Sequence, residues 1–415
     1  MEDDLFKKLV MIRRQLHQNP ELGFVEFKTA ALLQSELEAL QIPVERIVST
    51  GLIGTLKKGA GPVIVLRADM DALPVQEDTG LSFSSLTDGC MHACGHDLHM
   101  TMLLGAAHLL KNAAFEGTVH FVFQPSEEGS LRSPEKGKSG GQVLMETGAL
   151  AGADAVLGLH VHPLLPVGQL GYRIGESFAN VGNFYIRIDG KGGHPGAMKH
   201  VIDPVVVAGR LITEARAIVG PQPDPPTEVL AITHVETLAK PSFNVIPSSV
   251  LLQGSLRALH MEVYKGLVKK LQGILSNLER EFGCQITLEF TAYYPSLLND
   301  KGLFDMLLPV KEKIFGKDHV IESQPYLIGE DFAYYSRSIP GQFYFLGAKT
   351  AENDSFFLHH PQVTFNEDCI PYGAELLASG ALQLEKSMAG RQKPEGDQRS
   401  SGTRRPDRDV LAKRK

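Results

Sequence analysis

Residues whose side chains bind metals or transfer protons are concentrated in a few short stretches, and the densest is residues 89–99. The sequence GCMHACGHDLH places three imidazoles and two thiols directly before the apolar run 100–110. Alternate positions in an extended loop project to the same side, so Cys94 and His96 can reach one metal ion. Asp97 is predicted as the N-cap of the following helix, whose N-terminus would favour an ionised thiol. Two core cysteines and histidines at a helix start are the alternative interpretation of this stretch alone.

Glu127 and Glu128 form a second candidate site after the predicted strand Val119–Phe123. Two neighbouring carboxylates in a partly dry site repel each other unless a cation lies beside them. With a metal present, one can ligate while the other takes a proton from water. A solvated surface pair is the alternative, although a buried strand and a proline turn come directly before it.

Asp69 and Asp71 follow another predicted buried strand, Val63–Leu66. Aspartates at such a place either cap the loop through local backbone hydrogen bonds or orient histidine ligands from behind. Two histidine pairs lie elsewhere, at 160/162 and 359/360. Together, these loop sites offer cysteine, histidine and glutamate ligands in the numbers that a one-ion or two-ion centre requires.

The elements that position these residues alternate between strands and helices, which favours an α/β sheet. The predicted strands Val63–Leu66, Val119–Phe123 and Ala155–Leu159 each end in polar residues, and open α/β sheets place their sites at the carboxyl ends of strands. From Glu176 the pattern changes to a βαββαβ order, typical of a small antiparallel sheet with helices on one face.

We therefore predict a discontinuous catalytic metal-binding domain formed by residues 1–175 and 294–389, with an inserted α+β domain at 176–293. Residues 390–415 lack apolar periodicity and are predicted to be a disordered tail.

Composition argues against several classes of partner. The 415 residues carry a net charge of −7, which disfavours nucleic acid, and no apolar run approaches the length of a membrane span. Four cysteines in a chain of this length do not make a disulfide framework. The acidic start MEDD has no signal-peptide character, so we expect a cytoplasmic protein.

Six ordered motifs together resemble the metallo-amidohydrolases that include hippurate hydrolases, N-acyl-L-amino-acid amidohydrolases, N-acetyldiaminopimelate deacetylases and indole-acetyl-amino-acid hydrolases. The motifs are RADMDALP at 67–74, MHACGHD at 91–97, QPSEEG at 124–129, GLHV at 158–161, GGHPG at 192–196 and LHHP at 358–361. The resemblance covers about residues 5–388. It implies a zinc-peptidase-like catalytic domain carrying an inserted lid or dimerisation domain, and hence a homodimer or higher homo-oligomer.

The resemblance also implies two divalent metal ions per subunit (Zn, Mn, Ni or Co) and a role for each matching residue. Glu127 would be the general base, Asp69 a second catalytic residue and His194 the group that stabilises the oxyanion, while Asn244 and Arg257 would bind the substrate carboxylate. The implied metal ligands are Cys94, His96, Glu128, His160 and His359.

The implied reaction is metal-assisted hydrolysis of the amide bond of an N-acyl-L-amino acid such as an N-acetyl or N-benzoyl compound. A metallo-carboxypeptidase or dipeptidase, and an N-acetyldiaminopimelate deacetylase, are alternatives within the same fold. A catalytically silent binding protein would show defects among the ligands or the base, and the sequence has none at these positions. A cysteine hydrolase that used Cys94 with His96 would give the glutamate pair and His359 no role in the reaction.

Overall fold

The computed structural model describes residues 1–129, 137–238, 240, 242–351 and 355–389, and the predicted tail at 390–415 lies outside them. The helices are α1 (Asp3–Gln18), α2 (Phe27–Ala39), α3 (His96–Asn112), α4 (Gly140–Thr147), α5 (Pro204–Ile218), α6 (Met261–Phe282), α7 (Lys301–Phe315), α8 (Phe332–Ser336) and α9 (Ile370–Met388). The strands are β1 (Val44–Ile47), β2 (Gly51–Lys57), β3 (Val63–Asp69), β4 (Thr118–Gln124), β5 (Ala155–His162), β6 (Leu170–Tyr172), β7 (Gly175–Glu176), β8 (Asn180–Asp189), β9 (Glu228–Thr237), β10 (Ser249–Ala258), β11 (Gln285–Tyr294), β12 (Leu298–Asn299), β13 (Val320–Glu322) and β14 (Gly341–Gly347).

The chain divides into two compact units, of which the first contains Met1–Gly175, Leu297–Gln324 and the described part of Asp331–Arg391. Its sheet has the strand order β1-β2-β4-β3-β5-β14-β6-β13. The four central strands β4, β3, β5 and β14 run parallel. Helices α1, α3 and α9 pack together, and their apolar side chains share one core with the sheet. The predicted α/β fold is confirmed.

The carboxyl ends of β3, β4 and β5 meet at one edge of this sheet because the three strands are parallel. These strands end at Asp69, Gln124 and His162, so the motifs that follow them are brought to the same edge. Helix α3 contributes its first turn, which begins at His96. The edge thereby collects residues that are far apart in the sequence.

The prediction that Asp97 is the N-cap of this helix is wrong. The N-cap is Gly95, in the left-handed conformation with φ 85°, and a Cβ there would lie 2.4 Å from Cγ2 of Val161. Glycine alone fits this turn. The carboxylate of Asp97 is buried, forms an ion pair with Arg13 and receives a hydrogen bond from His17, both on α1, so tertiary pairing replaces the local cap.

The second unit contains Glu176–Ser296 and Pro325–Glu330. Its four strands form an antiparallel sheet in the order β11-β8-β10-β9. Helices α5 and α6 share a single apolar cluster with alternate strand residues such as Ile186 and Leu252, so they cover one face. Within the described residues, no helix is both long and apolar enough to cross a membrane.

Candidate metal centre

Cys94 lies at the middle of a cluster of potential metal ligands in the first unit. Its Sγ atom is 3.3 Å from Nε2 of His160 and 3.3 Å from Nε2 of His359. The ligand atoms of Cys94, His96 and His160 all lie within 4.8 Å of one another, and all three residues are buried. A thiolate and two imidazoles at these separations form a donor set that suits zinc and similar divalent ions.

The glutamate pair extends the same cluster. Oε1 of Glu128 is 2.9 Å from Nε2 of His359. Cys94, Glu128 and His359 form a second group of atoms within 4.8 Å, and His96, Glu127 and Glu128 form a third. Because each group shares a residue with another, the structure brings all five implied ligands and Glu127 together.

Hydrogen bonds behind the cluster fix which nitrogen of each histidine faces it. His96 donates from Nδ1 to the main-chain oxygen of Asp71 at 2.8 Å, and His160 donates from Nδ1 to the main-chain oxygen of Val161 at 2.8 Å. Each bond leaves Nε2 as the electron-pair donor. Nε2 of His96 is buried and makes no hydrogen bond, which is the state expected of a nitrogen that binds a metal.

The charges of the cluster favour a cation. Burial raises the pKa of the Cys94 thiol well above its usual value, and the charges of Glu128, Glu127 and Asp69 raise it further. Burial opposes protonation of His96, but the charges of Asp69, Asp71 and Glu128, with a hydrogen bond from His96 to Asp71, raise its pKa to about 10. The carboxylates that contribute to both shifts supply negative charge that a divalent ion would balance.

Glu127 is held at both its main chain and its side chain. Its backbone N–H donates to Oδ1 of Asp71 at 2.9 Å, and its Oε1 accepts a hydrogen bond from the backbone N–H of Asp331 at 3.2 Å. The side chain is only 7% exposed. A buried carboxylate in a fixed orientation beside the ligands suits proton transfer.

Asp69 lies directly behind the cluster. Its Oδ1 accepts a hydrogen bond from Nδ1 of His99 at 2.6 Å, its Oδ2 accepts one from Arg67 at 2.8 Å, and Oδ2 lies 3.7 Å from Nε2 of His96. Burial works against ionisation, but electrostatic interactions with His96, His99 and Arg67, together with the hydrogen bond from His99, hold the pKa of Asp69 well below its usual range. The catalytic role of Asp69 stays a prediction.

Three residues of this network have no role in the sequence-based prediction: Arg67, His99 and Asp331. Arg67 bridges the site by donating to Asp69 and, at 2.6 Å, to Asp331. His99 accepts the N–H of Val161 at its Nε2. His99 follows His96 by three residues on α3, and residues at this spacing lie on the same face of a helix. The sequence therefore indicates that His99 lies near His96.

The second unit carries the three other predicted site residues. His194 and Asn244 lie on neighbouring segments, because Gly193 and Ile246 exchange backbone hydrogen bonds at 3.1 and 2.8 Å. Arg257 lies near the opposite end of β10, where Nη1 donates to the main-chain oxygen of Leu327 at 2.7 Å. Arg257 is eight positions along β10 from Ser249, a distance of about 26 Å at 3.3 Å per residue. Within this unit, Arg257 is therefore not brought to His194 and Asn244.

The sequence of the chain decides its family. A model of peptidase family M20/M25/M40 matches residues 65–383. The chain belongs to this family. It is 38% identical over 390 residues to IAA-amino acid hydrolase ILR1-like 4 of Arabidopsis thaliana, covering 92% of this chain and 86% of that protein. It is 35% identical to the N-acetylcysteine deacetylase of Bacillus subtilis (strain 168), covering 92% of this chain and 98% of that protein.

The fold agrees with solved structures of the M20 family. The Bacillus subtilis YXEP protein, described as a dinuclear metal binding peptidase, superposes with a TM-score of 0.79 at 32% identity, over 93% of this chain and 99% of that chain. The predicted resemblance and the prediction of a hydrolase are confirmed. The thiolate, imidazole and carboxylate donors of this M20 chain, with the buried unbonded nitrogen of His96, fit a metal centre.

Proposed function

We propose that this M20 hydrolase cleaves the amide bond of N-acyl-L-amino acids, releasing a carboxylic acid and a free amino acid. The observation that carries the proposal is the continuous cluster of Cys94, His96, Glu128, His160 and His359 with Glu127 beside it. The names of the similar proteins support this substrate class, because one acts on an indole-acetyl (IAA) conjugate of an amino acid and another on an N-acetyl amino acid.

Those five ligands would hold two divalent ions, for which Zn, Mn, Ni and Co are the candidates. When bound, the ions supply Lewis acidity that polarises the scissile carbonyl and lowers the pKa of water towards about 7. The residues behind the ligands keep each donor in place, since Asp71 and Val161 hold the Nδ1 protons of His96 and His160.

Glu127 would act as general base and then as general acid. The hydrogen bond from the Asp331 N–H to Oε1 would hold the carboxylate in place while it takes a proton from water and passes it to the leaving amine nitrogen. Asp69 would keep His99 and the nearby His96 oriented. His194 would stabilise the oxyanion, and the substrate carboxylate would be bound by Asn244 or by Arg257, which lie too far apart within one subunit to share it.

The experiment is steady-state hydrolysis of a panel of N-acetyl, N-benzoyl and indole-acetyl amino acids, together with dipeptides. The enzyme is stripped of metal and reconstituted separately with Zn, Mn, Ni and Co. Metal-dependent release of free amino acid from the N-acyl compounds is the expected result. Cleavage of dipeptides alone would contradict the proposal and favour a carboxypeptidase or dipeptidase, the second candidate that the peptidase family suggests.

We also propose that the chain forms a homodimer or higher homo-oligomer through the second unit. Strand β9 is at the edge of its sheet, and Val235 on β9 and Leu238 just beyond it are 46% and 49% exposed. Edge strands with exposed apolar side chains pair readily with another chain. Sedimentation velocity of the wild type and of Val235→Lys would test this, with a shift to monomer expected in the variant.

The cytoplasmic location and the lack of nucleic-acid and membrane partners stay predictions.

A further inference from the structure

The turn that carries the glutamate pair is held by two buried carboxylates from other parts of the chain. Asp71 accepts the backbone N–H of Glu127 at 2.9 Å and that of Glu128 at 3.1 Å. Glu26 accepts the backbone N–H of Ser126 at 2.9 Å. Three consecutive amides therefore have carboxylate acceptors, and each of these bonds is charge-assisted when its carboxylate is ionised.

Glu26 occupies the N-cap position of α2 but does not cap the helix with its side chain. Its carboxylate instead turns to Ser126 through Oε1 and receives the hydroxyl of Thr50 at Oε2, at 2.5 Å. The residue is fully buried, and burial together with the charge of Asp71 raises its pKa to about 7. Burial of a carboxylate is costly unless the carboxylate is hydrogen-bonded, and Glu26 accepts one hydrogen bond from Ser126 and one from Thr50.

The turn is also confined sterically. Ser126 has a positive φ of 49°, which is uncommon for a residue other than glycine. A Cβ on Gly23 would lie 2.5 Å from Oγ of Ser126, and a Cβ on Gly140 would lie 1.7 Å from the main-chain oxygen of Pro125. Two neighbouring segments thus approach the turn more closely than any side chain would permit, while Gly140 donates its N–H to Ser126 at 2.8 Å.

We propose that Glu26 is a positioning residue for the hydrolysis: by binding the Ser126 amide it fixes the turn from which Glu127 and Glu128 reach the metal centre. Glu26 acts through the main chain and does not touch the reacting atoms. The inference rests on the proposed function for its kinetic consequence, whereas its structural part is independent of the substrate.

The structural part is tested by amide hydrogen exchange on the metal-free full-length chain, read by mass spectrometry in peptides covering residues 124–129. Glu26→Ala removes the acceptor, and exchange there is expected to be at least about tenfold faster than in the wild type. Glu26→Gln keeps an acceptor oxygen for Ser126 and a donor for the rotatable Thr50 hydroxyl, so near wild-type exchange is expected. Asp154→Ala is the matched control, because Asp154 accepts the N–H of Val63 at the opposite end of β3.

The kinetic part is measured on the N-acyl amino acid that the wild type hydrolyses best. Glu26→Ala is expected to lower kcat about ten- to a hundredfold with KM changed less than about threefold, and Glu26→Gln to recover most of the loss. Wild-type exchange in Glu26→Ala, or a Glu26→Gln variant as defective as Glu26→Ala, would overturn the proposal.

If Glu26→Ala does not fold, the same hydrogen-exchange measurement on Thr50→Val tests the proposal. It loosens Glu26 while leaving it in place, and unchanged exchange at 124–129 would contradict the inference. A wild type that cleaves no N-acyl amino acid would refute the proposed function alone, since the exchange comparison would still test Glu26.

Discussion

Asp69 accepts a hydrogen bond from Nδ1 of His99 at 2.6 Å, and both side chains are buried behind His96, one of the implied ligands. This bond fixes the tautomer of His99, whose Nε2 then accepts the N–H of Val161 at 2.9 Å. His99 therefore ties Asp69 to the end of β5 that carries His160. His99 thus helps to position both Asp69 and the strand that carries His160, although it is not one of the implied ligands.

The first prediction concerns His99. Replacement by Phe keeps a ring of similar size but leaves Asp69 and the Val161 amide without a hydrogen-bond partner at these atoms. We expect the free energy of unfolding to fall by about 2–4 kcal/mol and the metal affinity to fall about ten- to a hundredfold. Chemical denaturation and competition with a chelator measure the two effects. His108→Phe, farther along α3, is the control, and equal metal affinity in both variants would exclude a role for His99.

The second prediction separates the base from the ligands. Glu127→Gln keeps the shape of the side chain and its bond to the Asp331 amide but cannot take a proton. We expect kcat to fall by about two to four orders of magnitude with the metal content unchanged. Metal analysis of the same preparation used for kinetics provides both numbers. The exposed Glu116→Gln is the control, and turnover near the wild type in Glu127→Gln would refute the assignment.

The local parts of this architecture follow from the sequence, whereas the pairings between distant segments do not. Apolar residues predict the strands β3, β4 and β5, because a short apolar run indicates that the strand itself is buried. The short strands β1, β6 and β13 carry little periodicity and are defined by their partners. The position of β14 between β5 and β6 joins segments almost two hundred residues apart, and no local pattern encodes it.

The same distinction holds for the site. The implied ligands are recognisable because metal binding restricts their residue types and motifs. Arg67 is different: it joins Asp69 to Asp331, and the latter is 264 residues away in the chain, so only the folded structure shows the connection. At Asp97 a local sequence pattern predicts the wrong contact. Aspartate is typical of a helix N-cap, but the buried carboxylate of Asp97 pairs with Arg13 and His17 instead.

The third prediction concerns Asp71, whose two oxygens hold the amides of Glu127 and Glu128. Asp71→Asn offers only one oxygen, so one amide loses its acceptor and faces an NH₂ group instead. We expect a loss of about 1–3 kcal/mol in the free energy of unfolding and a fall in kcat of about tenfold or more. Asp154→Ala removes a carboxylate–amide bond away from the site and should affect stability alone. Unchanged kcat in Asp71→Asn would show that the turn does not depend on this bond.

The last prediction is a pH dependence of stability that originates away from the metal centre, at Lys311 on α7. Its ammonium is buried 3.3 Å from the ring centroid of Phe304, with the rings of Tyr172 and Tyr344 at 5.6 and 5.3 Å. Nζ also donates to the main-chain oxygen of Phe304 at 3.3 Å. Burial lowers the pKa of Lys311 to about 7, although the charges of Asp305 and Glu312 act in the opposite direction.

Since the unfolded chain keeps a lysine pKa near 10.5, it binds more protons than the folded protein between about pH 7 and pH 10. The contribution of Lys311 to stability must therefore rise with pH across this window and be least favourable below pH 7, where both states are charged. Lys311→Met removes the buried charge, so the variant should be more stable than the wild type at pH 7 by about 1–3 kcal/mol, and the difference should shrink towards pH 10. Urea denaturation of both proteins at the same metal content across this range measures it, with the exposed Lys313→Met as control. A constant or growing difference would mean that Lys311 is not neutralised in the folded state, and that the surrounding rings stabilise its charge against burial.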